Sequence, residues 1–105
     1  MFLMNSRISK VELIADIASM LGIAAPKVST GSTEPKELFI LINDLLGLAI
    51  PTNLQKPVMA QQIVELSGGT WTTECESTGG TVTNLGLEKV RDAVSFFTRS
   101  EKGIN

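Results

Sequence analysis

Histidine and tyrosine are both absent from this chain of 105 residues. Without histidine, the nucleophilic systems that pair serine or cysteine with an imidazole base are excluded, and so are most zinc sites. Without tyrosine, a tyrosine nucleophile is excluded as well. We therefore expect no catalytic residues, no metal site and no cofactor. A weaker alternative is an enzyme in which Glu74, Glu76 and a helical glutamate hold magnesium.

Cysteine and long apolar runs are scarce. Cys75 is the only cysteine, so no internal disulfide can form, and a secreted scaffold held together by disulfides is excluded. The longest apolar runs, residues 38–42 and 45–50, are far shorter than the roughly 20 residues that span a bilayer. We therefore expect a cytoplasmic protein that does not enter the membrane.

Positive charge is scarce too. The chain has 9 basic and 11 acidic residues, which gives a net charge of −2. Proteins that bind nucleic acid on their own are usually strongly basic, because neutralising phosphates supplies much of the affinity. This balance counts against strong independent DNA binding, and it leaves open a weak module that acts beside something larger.

The apolar residues that are present recur at helical spacing and predict a mainly α fold of about four helices in a single domain, residues 1–105. The first helix is predicted to begin at Ser9, because Glu12 lies three residues later and completes a capping box. Gly22 is placed to end it. Two apolar stripes run along this helix. They consist of Val11, Ile14, Ala18 and Leu21, and of Leu13, Ile17 and Met20.

Three further helices are predicted. The second opens at Thr33 or Glu34 with Pro35 in its first turn, and ends at Gly47. Its predicted inner face consists of Leu38, Leu41, Ile42, Leu45 and Leu46. The third runs from Leu54 or Pro57 to about Leu66. The fourth is capped by Thr83 or Asn84 and runs to about Thr98. Residues 70–83, which include Trp71, are predicted to form a short hairpin or an irregular segment.

One function class follows from the surplus of apolar residues on the first two helices. The second stripe of helix one and two residues of helix two exceed what one four-helix core needs. The predicted interface residues are Leu13, Ile17, Met20, Phe39 and Ile40. They indicate a protein–protein assembly module, a small protein inhibitor or a homo-oligomer.

A second function class follows from the glycine-containing segment before helix four. Two glycines among hydroxyl residues let backbone N–H groups converge on an anion, and the helix start that follows also favours phosphate. The predicted DNA-binding residues are Ser77, Thr78, Gly79, Gly80, Thr81 and Thr83, with Lys56, Lys89 and Arg91 as cationic support. The same segment also fits a tight turn followed by an ordinary helix cap.

Residues 51–97 resemble small helical domains in or beside type II restriction endonucleases. The residues that carry the resemblance are Pro51, Thr52, Lys56, Ala60, Ile63, Val64, Glu65, Gly68, Gly69, Thr70, Trp71, Cys75, residues 77–83, Gly86, Leu87, Val90, Ala93 and Val94. The resemblance implies a non-catalytic DNA-recognition or accessory module of a restriction or mobile-element defence system, with duplex DNA and a nuclease subunit as partners. The acidic balance departs from that pattern, and any cleavage would have to come from another polypeptide.

Overall fold

The computed structural model describes residues 9–27 and 34–101, and these residues form four α-helices and one short 3-10 turn. The helices are α1 (Lys10–Leu21), α2 (Lys36–Leu46), α3 (Lys56–Leu66) and α4 (Asn84–Glu101), and the 3-10 turn is Thr73–Cys75. This confirms the predicted mainly α fold with four helices. The long helix α4 packs against α1 and α3, and α2 packs against α3.

The ends of α1 follow the local rules that the sequence indicates. The Ser9 hydroxyl accepts a hydrogen bond from the Glu12 N–H at 3.2 Å, and the Glu12 carboxylate accepts one from the Ser9 N–H at 3.3 Å. At the other end Gly22 adopts a left-handed conformation with φ of 74°, which glycine adopts at no steric cost. The predicted capping box and glycine end are therefore both confirmed.

Helix α2 repeats the pattern of α1 further along the chain. It also ends at a left-handed glycine, Gly47 with φ of 64°. The buried residues of the two helices have the same spacing and are Leu13, Ile14, Ile17 and Ala18 in α1, and Leu38, Phe39, Ile42 and Asn43 in α2. The loop after α2 is closed by Asn43, whose side chain makes hydrogen bonds of 2.9 and 2.8 Å to the backbone C=O and N–H of Ile50.

The predicted start and inner face of α2 need correction. The helix begins at Lys36 after Pro35, so it does not open at Glu34; the alternative start, Thr33, lies outside the described residues. Phe39 is fully buried, whereas Leu45, assigned to the inner face, is 47% exposed. Residues 38–42 are all apolar, so the helical spacing of apolar residues did not determine which face of the helix points towards the core.

The hydrophobic core lies between the four helices and includes most of the residues predicted to form an interface. Leu13, Ile17 and Phe39 each have 0% exposure. Met20 and Ile40 are partly buried against the same core. These side chains are covered by the chain's own helices. They are therefore not a surplus of exposed apolar surface, and the prediction of an interface from such a surplus is corrected. The second stripe of α1 lies in or against the core, and α1 packs mainly against α4.

The segment between α3 and α4 is irregular and contains no β-strand among the described residues. Its 3-10 turn is followed by one isolated antiparallel bridge between Glu76 and Val82. Trp71 packs partly buried against the core, and its Nε1–H donates a 3.0 Å hydrogen bond to Glu76. Thr83 caps α4, because its hydroxyl accepts a hydrogen bond from the Gly86 N–H at 3.2 Å.

Gly86 is held where this segment crosses the first turn of α4. A Cβ at this position would lie 2.6 Å from a Val82 methyl group and would also clash with the backbone carbonyl of Cys75. The absence of a side chain therefore lets the 3-10 turn and the bridge lie directly on α4.

None of the helices in residues 9–27 and 34–101 has the length and apolar character needed to cross a membrane.

Candidate functional site

A buried carboxylate is the centre of the candidate site. The Glu34 side chain has 0% exposure, and its Oε1 lies 3.0 Å from the Lys10 ammonium. Its Oε2 accepts a 2.7 Å hydrogen bond from the Val82 N–H and lies 3.5 Å from the Lys56 ammonium. Lys56 also donates a 2.7 Å hydrogen bond to the Glu34 backbone carbonyl. The two carboxylate oxygens therefore have the partners that a buried charge requires.

The N-terminal ends of the four described helices meet at this carboxylate. Lys10 and Lys56 are the first residues of α1 and α3, Val82 lies just before α4, and Glu34 itself lies just before α2. Each helix start has a partial charge of roughly +0.5, which favours an anion between them. We call this end of the molecule the N-terminal pole; its residues are Lys10, Glu34, Lys36, Lys56 and 77–83.

The lysines at the N-terminal pole stand where helix electrostatics disfavour them. Lys10, Lys36 and Lys56 open three of the four described helices, and no basic residue lies in the last turn of α1, α2 or α3. The helix dipole favours the reverse placement by roughly 0.3–1 kcal/mol for each charge. Acidic residues offset the lysines in the first turns of α1 (Glu12) and α2 (Glu37), but none lies in the first turns of α3 and α4.

The predicted DNA-binding turn lies at this pole, on the side of α3 and α4. The Ser77 N–H donates to the Thr81 carbonyl at 3.0 Å, the two hydroxyls of these residues are 2.6 Å apart, and the Gly80 N–H donates to the Ser77 carbonyl at 3.3 Å. Two predicted donors, the N–H groups of Ser77 and Gly80, are thus used inside the turn. Ser77, Thr78 and Gly79 are exposed at its tip.

Thr83 has the capping role that the sequence predicted for Thr83 or Asn84. Its hydroxyl donates to the Glu74 carbonyl at 2.7 Å and accepts from the Gly86 N–H. Both interactions hold the start of α4, so this hydroxyl is a helix cap. The alternative that the sequence left open, a turn followed by an ordinary cap, describes Thr83 well. Of the predicted DNA-binding residues in this segment, those at the exposed tip of the turn stay candidates for contact.

The structure separates the three predicted cations. Lys56 contacts the same Glu34 oxygen that bonds Val82, so it lies beside the turn. Lys89 lies further along α4, in a groove against the end of α3. Arg91 faces α1, 4.0 Å from Asp16, and lies 3.6 Å from Asp92. Lys89 and Arg91 therefore border different grooves away from the pole.

Sequence reasoning missed Glu34 and Lys10 as site residues. Glu34 was interpreted as a possible helix start, and Lys10 was not singled out. The one signal in the sequence is that three predicted helices begin near a lysine, against the preference of the helix dipole.

Two open grooves flank α4. One, of about 270 Å³, lies between α4 and the end of α3 and is bordered by Lys89, Asp92 and Phe96 together with Gly68 and Gly69. The other, of about 260 Å³, lies between α4 and α1. No group of three acidic or cysteine side chains within the described part of the chain is arranged to hold a metal ion.

Comparison with models of known protein families, with curated proteins and with solved structures finds no match to this chain. The resemblance to domains of restriction endonucleases therefore stays a prediction.

Proposed function

We propose that this protein is a non-catalytic DNA-recognition or accessory module that contacts the phosphate backbone with its N-terminal pole. The observation that supports this is the placement of Lys10, Lys36 and Lys56 at helix starts. A cation there costs helix stability. Glu34 pairs with Lys10 and Lys56 and offsets part of that cost, and the positive charge that remains at this end of the molecule, together with Lys36, favours a role in binding anions.

The contact is best assigned to the side of the pole formed by α3, α4 and the turn between them. Lys56 supplies positive charge there, and Thr78 and Gly79 at the exposed tip supply neutral donors. Glu74 and Glu76 flank the same turn. With so few cations, binding is expected to be weak and to depend only shallowly on salt, with a log–log slope of about −2 or smaller in magnitude.

A titration of duplex DNA at two salt concentrations tests the proposal. Thr78→Glu places a negative charge on the exposed tip without touching the core, and it should weaken binding by at least about threefold at low salt. Thr70→Glu is the matched control, because Thr70 is also exposed but follows the C-terminal end of α3. Lys56→Gln removes the cation and should reduce the salt slope.

Two results of this titration would contradict the proposal. No binding by the wild-type chain at low salt would overturn the proposal. Equal effects of Thr78→Glu and Thr70→Glu would show that the pole is not the contact. Circular dichroism of each variant checks that the helices are retained.

A protein-assembly module is the second candidate, and one observation favours it. Phe96 and Leu66 are 45% and 54% exposed, although both are large apolar residues. These residues lie on α4 and α3 and differ from those predicted on α1 and α2. A nuclease subunit or other protein that occupies it would agree with the resemblance to accessory domains, and co-purification with and without Phe96→Ser would test for such a partner.

A further inference from the structure

We infer that the outward face of α4 is the contact surface of an antiparallel homodimer. The surface consists of Leu85, Lys89, Asp92 and Phe96, which we call the α4 stripe. These residues are spaced four, three and four apart, so they lie on one face of the helix. The inference goes beyond DNA binding, because it uses none of the lysines of the N-terminal pole.

The stripe exposes apolar residues at both ends. Leu85 is 38% and Phe96 is 45% exposed, while the opposite face of α4, which includes Leu87, Val90 and Val94, is fully buried. Between the two apolar residues lie one basic and one acidic side chain. A helix face of this composition has two apolar anchors with a charged pair between them.

Two copies of the stripe are complementary to each other when they run in opposite directions. A twofold axis between residues 90 and 91 would place Leu85 against Phe96 of the second copy and Lys89 against Asp92 of the second copy, each pairing occurring twice. A parallel arrangement would instead oppose Lys89 with Lys89 and Asp92 with Asp92. Charge complementarity therefore selects a second copy in the antiparallel orientation.

The surroundings of the stripe leave space for this approach. The Asp92 side chain is 73% exposed and lies 3.6 Å from Arg91, so its carboxylate has room for a second cationic partner. The groove of about 270 Å³ beside Lys89 and Phe96 is bordered on its far side by Gly68 and Gly69, which have no side chains to obstruct a second helix.

The contact is short. From residue 85 to residue 96 the stripe measures about 16 Å along the helix axis, so the buried area is below that of a standard interface. Self-association is therefore expected in the micromolar range or weaker.

Sedimentation equilibrium over concentrations that reach the millimolar range tests the dimer. Lys89→Asp and Asp92→Lys should each weaken dimerisation by at least about tenfold, because like charges then face each other twice. The double variant Lys89→Asp with Asp92→Lys restores the opposite charges and should dimerise to within a few-fold of wild type. Asp44→Lys, an exposed charge reversal on α2, is the matched control.

Disulfide formation tests the register. Leu85→Cys combined with Phe96→Cys should produce covalent dimers on oxidation, because those positions face each other across the axis. Either single substitution should not, since two copies of the same position would lie about 16 Å apart, beyond the roughly 4.4–6.8 Å between Cα atoms that a disulfide spans.

Three results would overturn the inference. They are a wild-type chain that stays monomeric throughout, a double charge reversal that fails to restore association, and single cysteine variants that cross-link as readily as the double one. Restoration by the double reversal together with cross-linking of only the double cysteine variant would establish it.

Discussion

Removal of the Glu34 charge should weaken the whole fold, because this carboxylate connects elements that are distant in sequence. Its oxygens contact Lys10 at 3.0 Å, Lys56 at 3.5 Å and the Val82 N–H at 2.7 Å. Glu34→Gln keeps the size of the side chain and removes the charge, whereas Glu34→Ala removes both. The pair of variants therefore separates the electrostatic part of the interaction from the packing.

The magnitude follows from the burial of each group. The lysine side chains are 19% and 21% exposed, so without the carboxylate they can turn to water, and the main cost falls on the Val82 N–H. A hydrogen bond to a charged acceptor contributes about 1.5–3 kcal/mol and a neutral one about 0.5–1.5 kcal/mol. Glu34→Gln should therefore lower the free energy of unfolding by about 1–1.5 kcal/mol. Glu34→Ala adds a cavity and should cost about 3–5 kcal/mol.

Trp71 provides the assay. It is the only tryptophan and packs next to the bridge that Glu34 holds, so its fluorescence should report unfolding in urea. A loss of 3 kcal/mol from a domain of this size corresponds to a fall of roughly 12–24 °C in Tm. Glu37→Gln is the matched control; Glu37 is exposed in the first turn of α2, and its substitution should change stability by no more than about 0.5 kcal/mol.

The result that would refute this reasoning is a Glu34→Gln chain that unfolds at the same urea concentration as the wild type and the control. It would mean that the convergence of helix starts does not depend on the charge between them. The electrostatic argument for the N-terminal pole would then lose its basis.

Two further substitutions test the packing. Gly86→Ala should destabilise the fold by about 1–3 kcal/mol, because the added methyl group overlaps Val82, whereas Gly79→Ala, with open space around it, should leave thermal melting nearly unchanged. Asn43→Ala leaves the buried N–H and C=O of Ile50 without their side-chain partners and should cost about 2–4 kcal/mol in urea unfolding; a cost under about 0.5 kcal/mol would contradict the account of that loop.

Features that depend on neighbouring residues could be predicted from the sequence. The capping box of Ser9 and Glu12 and the glycine ends at Gly22 and Gly47 were all predicted, and each involves residues within one helical turn. Their geometry is fixed by the local backbone, so spacing and residue type are sufficient. The number and order of the helices followed from the same local patterns.

The functional surfaces could be predicted only in part. The turn at residues 77–81 was placed correctly before α4, but the sequence grouped Lys89 and Arg91 with it, and the structure separates them. Cations that are two residues apart on a helix point in different directions, and the neighbouring helices decide what each one meets.

What the sequence by itself determined is that the chain folds as a mainly helical protein of four helices, together with the local caps at Ser9, Gly22 and Gly47. What only the tertiary structure decided is which side chains the helices bring together. Lys10, Glu34, Lys56 and Val82 are separated by more than twenty residues at each step, and no local pattern relates them. Likewise the apolar face of Leu13 and Ile17 became core because α4 covers it. Burial is a property of the packed helices, and it depends on contacts that no single segment contains.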